Sequence, residues 1–315
     1  MVAVLCAAGW ATTGSAVEPS DCTTAAGPAC YRTFEPAPSG GKLHYYASLA
    51  PDTAPSVGPT RALVAMHGHP RDAVKTFGAA LLAVRRAGVL DDMLVVAPLF
   101  QVAAGQAGKC SSAGVPAAQD GDLLWTCSSW IEGGRAGNGS RVTSFAAMDA
   151  LVAELARRWP SLRTVTVTVA GFLAGGQMVQ HYIGFAADPP TASIGLRYVV
   201  ADPGTWLYFD SFRPQSSHPA EGACPSLDRW KYGMGGLPAH LGRSAAEARQ
   251  RYISADITLK LPLDMSAQDE IMALQTTGIP VDMLGNAKSG FLFVWTGGGV
   301  QSRQNIFRWF ASNIR

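Results

Sequence analysis

The amino-acid sequence predicts an α/β protein with a doubly wound, mostly parallel sheet, helices on both faces and long loops over the carboxyl edge of the strands. Short continuous apolar runs, typical of strands buried on both faces, alternate along the chain with stretches of helical spacing. Strand and helix following each other in this order favour a parallel sheet. Two long segments without periodicity, 99–141 and 203–245, are rich in Gly, Pro, Ser and Trp, and α/β proteins place their sites in such loops.

Each predicted element rests on its own pattern. Strands are predicted, in chain order, over Lys42–Ala47, Ala62–Met66, Leu94–Pro98, Thr164–Ala170, Leu196–Ala201, Asp256–Leu263 and Phe291–Thr296. The first alternates like an exposed edge strand, the next two are continuous apolar runs, and the fourth is rich in β-branched residues. Helices are predicted over Ala73–Ala87, over a stretch capped by Ser144 and ended by Pro160, and over Gln177–Phe185.

Composition excludes several classes of protein. The chain has 315 residues, 48% hydrophobic and 15% charged, which is globular and too apolar for a disordered chain. A net charge of +2 provides no strong field for nucleic acid or an anionic membrane. Beyond the first dozen residues no apolar run reaches the ~18 residues needed to cross a bilayer. Since the sequence contains neither an internal repeat nor a linker, we expect one domain over 17–315.

The start of the chain and its cysteines indicate export. Residues 1–16 form an apolar stretch that ends in small residues, as in a signal peptide, so we expect a secreted or periplasmic protein. In an oxidising compartment two near pairs, Cys22–Cys30 and Cys110–Cys127, would each close a short loop. The alternative is that all the cysteines are buried thiols. No spacing resembles a metal-ligand set and no phosphate-binding loop occurs, so no cofactor is expected.

One strand–turn–helix segment carries the functional prediction. The β-branched strand runs into the sequence GFLAGG at 171–176, the context of the G-x-S-x-G nucleophile elbow, with Leu173 at the central position. The turn is tight and strained, so its neighbours must be small. Upstream, the sequence MHGHP at 66–70 follows a strand. Backbone N–H groups near Gly68 or His69, and that of Ala174, are therefore expected to form an oxyanion hole.

Over roughly residues 42–265 the chain resembles a family of secreted bacterial and fungal α/β-hydrolases related to serine esterases. The segments that carry the resemblance are His67-Gly68 with Arg71–Ala73, Gly121–Trp125, Ser144–Leu151, the elbow with Gln177, Tyr198–Asp202, Cys224-Pro225 through Arg229–Gly233, and Arg251-Tyr252 leading into Asp256–Asp264. The resemblance implies the α/β-hydrolase fold and a Ser…Asp/Glu…His order of catalytic residues along the chain.

The nucleophile and the base depart from that pattern. Leu173 stands where the family has serine, and a leucine side chain has neither a lone pair nor a proton for covalent catalysis. No histidine follows His240, and we assign the expected histidine position to Gln301, whose amide is no base near neutral pH. A folded-back His218 or His240 is the alternative base. His67 is expected to brace the oxyanion loop.

The resemblance places the triad acid at Asp264, at the end of a predicted strand. Asp202, after the preceding strand, is the alternative acid, and each is also read as a turn carboxylate. The resemblance further implies a disulfide partner for Cys224 within 265–280, a region that contains no cysteine. Nucleophile, base and disulfide partner therefore all differ from the family.

Three functions remain open on these observations. The first is a secreted protein of serine-esterase ancestry with an incomplete triad, weakly active or inactive, that keeps a pocket for a small ester-like or apolar ligand. The second is an ordinary carboxylic-ester hydrolase whose nucleophile and tail have been altered. The third is a protein-interaction module that presents tryptophan-rich loops, containing Trp125, Trp130, Trp206 and Trp230, to a partner.

Overall fold

The computed structural model describes residues 22–38, 40–50, 58–164, 166–209 and 226–260. Seven strands form its main sheet: β1 (Tyr31–Phe34), β2 (Leu43–Ala47), β3 (Arg61–Met66), β4 (Met93–Leu99), β7 (Thr166–Leu173), β8 (Gly195–Pro203) and β9 (Asp256–Lys260). Two short strands, β5 (Gln101–Val102) and β6 (Leu124–Trp125), pair separately. The order in the main sheet is β1-β2-β4-β3-β7-β8-β9, which is the doubly wound arrangement predicted from the sequence.

The amino-terminal strands correct one prediction. β2 pairs antiparallel with both β1 and β4, so it lies inside the sheet, and all five of its residues are buried. The prediction of an exposed edge strand at Lys42–Ala47 is wrong because β1, which was not predicted, forms the edge. Tyr46 packs on Tyr31 of β1 and on Phe77 of the first helix, with ring centroids 4.9 Å and 5.7 Å away. Aromatic burial, not exposure, explains the tyrosines of this strand.

The parallel core agrees with the continuous apolar patterns. β4, β3, β7, β8 and β9 run parallel, in register from Val64↔Val96 and Ala65↔Ala170 across to Val199↔Thr258. Alternate residues of β3 face opposite layers: Val64 and Met66 join one apolar cluster, and Leu63 and Ala65 join the other. Both faces are therefore covered, which requires strands that are apolar throughout.

Helices cover the two faces of the sheet. They are α1 (Ala73–Arg86), α3 (Ser144–Arg158), α4 (Ala174–Phe185) and α5 (Ala245–Ser254). A four-residue helix, α2 (Ala104–Ala107), has no buried residue. α1 contributes to one apolar cluster, and α3 and α4 contribute to the other. The cap of α3 is Thr143, whose hydroxyl accepts from the Ala146 N–H at 3.0 Å, and Ser144 is the first helical residue. The cap was therefore predicted one residue too late.

Two disulfides tie down the loops. Cys22–Cys30 and Cys110–Cys127 are both bonded, as predicted from their spacing. The loop tryptophans at 125 and 130 are buried, with indole N–H groups donating to the carbonyls of Gly134 and Cys127. They hold the loops onto the domain.

No helix within the described residues has the length and apolarity to cross a bilayer. Three predicted features lie outside the described residues: Cys224, the end of the strand predicted over Asp256–Leu263, and all of the strand predicted over Phe291–Thr296.

Candidate functional site

The connection from β7 to α4 is a strained turn with Leu173 at its tip. Leu173 has φ 51° and ψ −120°, a conformation that a bulky residue rarely adopts. Leu173 is 42% exposed, although residues 167–171 of the same strand are buried. β7 lies between β3 and β8, so Leu173 sits at the carboxyl end of a central strand. This is the place and conformation expected for the residue at the centre of a nucleophile elbow.

Three glycines allow the turn to close. A Cβ on Gly171 would overlap the Gly175 carbonyl oxygen, and one on Gly175 would lie 2.7 Å from that of His67. A Cβ on Gly176 would lie 2.6 Å from the Ala201 carbonyl oxygen. All three contacts are with backbone atoms, which rotamer changes do not relieve. The small residues expected around the elbow are therefore required by close backbone approach.

His67 braces the loop that follows β3. It is fully buried, and its Nδ1 lies 2.9 Å from the Gly68 carbonyl oxygen, to which it donates. Its Nε2 accepts the N–H of Phe100 at 3.2 Å, an arrangement that fixes the neutral tautomer. Burial lowers the pKa of His67 to about 4. Both ring nitrogens are engaged within the scaffold, which agrees with the bracing role expected for this histidine.

The same bonds orient the next amide. The Gly68 carbonyl also accepts the Arg71 N–H at 3.0 Å, so it points into the turn. The N–H and C=O of a trans peptide point in opposite directions, and the His69 N–H consequently points away from the turn. The Ala174 N–H belongs to the first turn of α4, where amides have no partner within the helix. The bonds to the Gly68 carbonyl thus direct the His69 amide away from the turn.

A small pocket joins the two loops. Its volume is about 170 Å³, and it is lined by Met66, Gly68, His69, Pro70, Thr76, Phe172, Leu173 and Ala174. An apolar cavity of about 150 Å³ is large enough to bind benzene. The pocket therefore suits a ligand with a short acyl chain or a single ring. The sequence-predicted residues at 68, 69, 173 and 174 meet here.

Arg71 anchors the loop through its buried side chain, a role that was not predicted from the sequence. It is 2% exposed and has φ 55°. Its guanidinium donates to the carbonyls of Cys110 and Phe100 at 3.2 Å and 3.4 Å, to the Gln101 side chain at 2.9 Å, and to the Ser111 hydroxyl. Burial lowers the pKa of this guanidinium. An arginine directly after a His-Gly-x-Pro turn was the available signal.

The predicted acid and base positions are only partly described. Asp264 and Gln301 lie outside the described residues, as does His218. Asp202 lies at the carboxyl end of β8 with φ 41°, on the strand beside the elbow. His240 lies 3.1 Å from the Gly133 carbonyl oxygen, in a turn that does not line the pocket. Of the histidines in the described ranges, His69 alone lines it.

The remaining described histidines serve packing. His44 pairs with buried Asp122 at 2.7 Å, and His181 lies between the carbonyls of Gln177 and Lys231 at 2.6 Å and 2.8 Å. Within the described ranges, no three His, Cys, Asp or Glu side chains are grouped to hold a metal ion. The described side chains that line the pocket thus include the hydrocarbon of Leu173, the imidazole of His69 and the hydroxyl of Thr76, and the elbow itself carries no acylating nucleophile.

Comparisons with known proteins identify the fold. No family profile matches the sequence, and no curated protein matches it. Many solved structures match the chain. One is poly(aspartic acid) hydrolase-1 from Sphingomonas sp. KT-1, at 15% identity and TM-score 0.54, covering 90% of this chain and 97% of that one. Another is a poly(3-hydroxybutyrate) depolymerase from Bordetella parapertussis, at 15% identity and TM-score 0.52, covering 90% and 88%. The fold is that of the α/β-hydrolases.

Proposed function

We propose that this chain is an exported α/β-hydrolase-fold protein of serine-esterase ancestry that binds a small ester-like or apolar ligand without forming an acyl-enzyme. The observation that carries the proposal is Leu173 at the strained tip of the elbow, where a serine would be required for acyl transfer. Loss of a triad member lowers kcat by roughly 10⁴- to 10⁶-fold, so ordinary esterase turnover is abolished.

The binding half of such a site is retained. The pocket keeps apolar walls at Met66 and Phe172 and the outward amide of His69. An ester carbonyl accepts such an N–H, while its alkyl chain packs against the walls. The neighbours cited above are a hydrolase and a depolymerase of polymers, and this supports a carbonyl-containing ligand. The two disulfides support an oxidising compartment, in keeping with removal of residues 1–16 on export.

Binding of ethyl butyrate, followed by saturation-transfer NMR, tests the proposal. Two leucines of equal exposure provide matched variants: Leu173 is 42% exposed at the pocket, and Leu227 is 43% exposed and does not line it. We expect Leu173→Trp, which fills the pocket, to weaken binding at least tenfold, and Leu227→Trp to leave it unchanged. A fluorophosphonate probe should not label the parent. Labelling of the parent, or equal binding by Leu173→Trp, would contradict the proposal.

An ordinary carboxylic-ester hydrolase with an altered nucleophile is the second candidate, and the retained elbow conformation favours it. A serine at φ 51° on this turn would project over the pocket as Leu173 does. The Leu173→Ser variant therefore discriminates between the two. Turnover of a short-chain chromogenic ester that is far faster in that variant than in the parent, together with fluorophosphonate labelling, supports the second candidate. A folded variant that is not labelled and is no faster than the parent supports the first.

A further inference from the structure

A second chemistry follows from the same pocket, and it rests on the ligand site proposed above. We propose that His69 is a general base through which the protein hydrolyses small activated esters directly with water, without a covalent intermediate. The activity needs no serine, and no residue of the elbow takes part except through its backbone amide. Its substrates are aryl esters of short acids, because the pocket of about 170 Å³ accepts little more than an acyl group.

The imidazole of His69 is available for proton transfer. His69 is exposed, lines the pocket and makes no side-chain hydrogen bond or ion pair with any described residue. His67, two residues earlier, is committed at both ring nitrogens and fully buried. The loop thus separates two tasks: one histidine holds the turn, and the other stands free at the pocket.

Covalent geometry places this imidazole beside the bound carbonyl. The outward N–H that would bind an ester oxygen belongs to His69 itself. The ring and this N–H belong to one residue, and that residue lines the pocket, so an ester oxygen accepting the N–H at about 2.9 Å lies in the same pocket as the ring. A general base acts either directly or through one water.

The reaction balances with water as the only co-reactant. The neutral His69 ring takes a proton from water while the water oxygen bonds to the carbonyl carbon. The carbonyl π electrons move to its oxygen, which is stabilised by the amides of His69 and Ala174. Collapse re-forms the C=O bond and breaks the bond to the aryl oxygen, which leaves as the aryloxide with the electron pair. The acid is released, and the imidazolium returns its proton to solvent.

Hydrolysis of 4-nitrophenyl acetate by the full chain tests the inference. We expect saturable turnover above that of free imidazole at equal concentration, slower in D₂O, with no burst and no acetylated protein by mass spectrometry. His69→Gln keeps the backbone amide and removes the base, so it should lower kcat by roughly 100-fold, the lower end for general-base catalysis. His240→Gln, which also removes one histidine but outside the pocket, should retain the parent rate.

Binding of ethyl butyrate to the same samples separates this inference from the proposed function. Unchanged binding by His69→Gln together with lost turnover supports the general base. If the parent binds ethyl butyrate but hydrolyses no faster than imidazole, or if His69→Gln stays within twofold of the parent, the inference is wrong and the ligand site stands. An acetyl adduct on His69 would also overturn it, because the ring would then act as a nucleophile. If the parent hydrolyses the ester without binding ethyl butyrate, the proposed ligand class is wrong.

Discussion

At Gly175, two effects of an added side chain oppose each other: the helix prefers alanine to glycine, and a Cβ would clash with backbone. It lies in the first turn of α4, where the intrinsic preference for alanine over glycine is about 1 kcal/mol. A Cβ there would lie 2.7 Å from the His67 carbonyl oxygen and 2.8 Å from that of Met66. These atoms belong to the end of β3 and the start of the loop that forms the other side of the pocket. Alanine at this position therefore pushes the elbow and the oxyanion loop apart.

Gly78, in the interior of α1, provides the matched control. A Cβ on Gly78 would meet nothing within 4 Å, so Gly78→Ala gains the stability that alanine gives a helix, without a clash. We expect it to raise the free energy of unfolding by about 0.5–1 kcal/mol. For Gly175→Ala the same gain is outweighed by overpacking against backbone, which costs about 1–3 kcal/mol and sometimes more. Because the helical gain is common to both, the two variants should differ by the overpacking cost of about 1–3 kcal/mol, with opposite signs.

Urea denaturation followed by tryptophan fluorescence measures this difference. At equal slope, Gly78→Ala should shift the midpoint up and Gly175→Ala should shift it down, and Gly175→Val should unfold or misassemble. Binding of ethyl butyrate should weaken in Gly175→Ala and persist in Gly78→Ala. A Gly175→Ala midpoint at or above that of the parent would refute the close approach on which the account of the elbow depends.

Three further predictions concern the same loops. Burial lowers the pKa of His67 to about 4, so between pH 6.5 and 4 the unfolded chain binds more protons than the folded one. The free energy of unfolding should therefore fall over this range by an amount on the order of 3 kcal/mol. In His67→Phe, urea titrations should show a fall in that free energy that is smaller by this amount. Arg71→Met should cost about 2–4 kcal/mol, because its carbonyl acceptors lose their donors, and Arg71→Lys, without the forked geometry, should restore only part of it in the same titration. Alanine variants are usually more stable than glycine variants, but at Leu173 the order should invert because φ 51° suits glycine. Leu173→Gly should be about 1 kcal/mol more stable than Leu173→Ala. A urea midpoint of Leu173→Ala equal to or above that of Leu173→Gly would contradict the positive φ at this residue.

The parallel core was predictable because its strands must be apolar on both sides. No helical or alternating pattern competes with a run such as the one in β4, so the sequence indicates a strand and its burial together. The amino-terminal strands were harder to predict. β2 alternates in polarity. Its burial depends on pairing with β1, and no pattern within β2 itself indicates that partner. α5 was missed because its capping box, with Ser244 bonded to Glu247, precedes a weakly apolar stretch.

Site residues divide along a similar line. The glycines around the elbow were predictable because the turn imposes a steric requirement that depends only on local chain path. The direction of the His69 amide in the 67–70 loop was not predictable, because it depends on two hydrogen bonds to the Gly68 carbonyl. The role of Arg71 was not predictable because its partners at 100, 101, 110 and 111 are distant from it in sequence, and two of them belong to the Cys110–Cys127 loop. Contacts between loops leave no periodic trace in a sequence.

The strain at Leu173 is maintained by the scaffold and not by the residue that occupies it. A positive φ at a leucine costs on the order of 1–3 kcal/mol, and it persists only where surrounding contacts determine the chain path. Here those contacts are the glycine approaches to the strands on either side and the break in register between β7 and β8 at Phe172/Leu173. None of them involves the side chain of Leu173. The scaffold would therefore hold a serine, an alanine or a leucine in the same conformation, so the chemistry of this site changes with one side chain while the turn and its pocket remain.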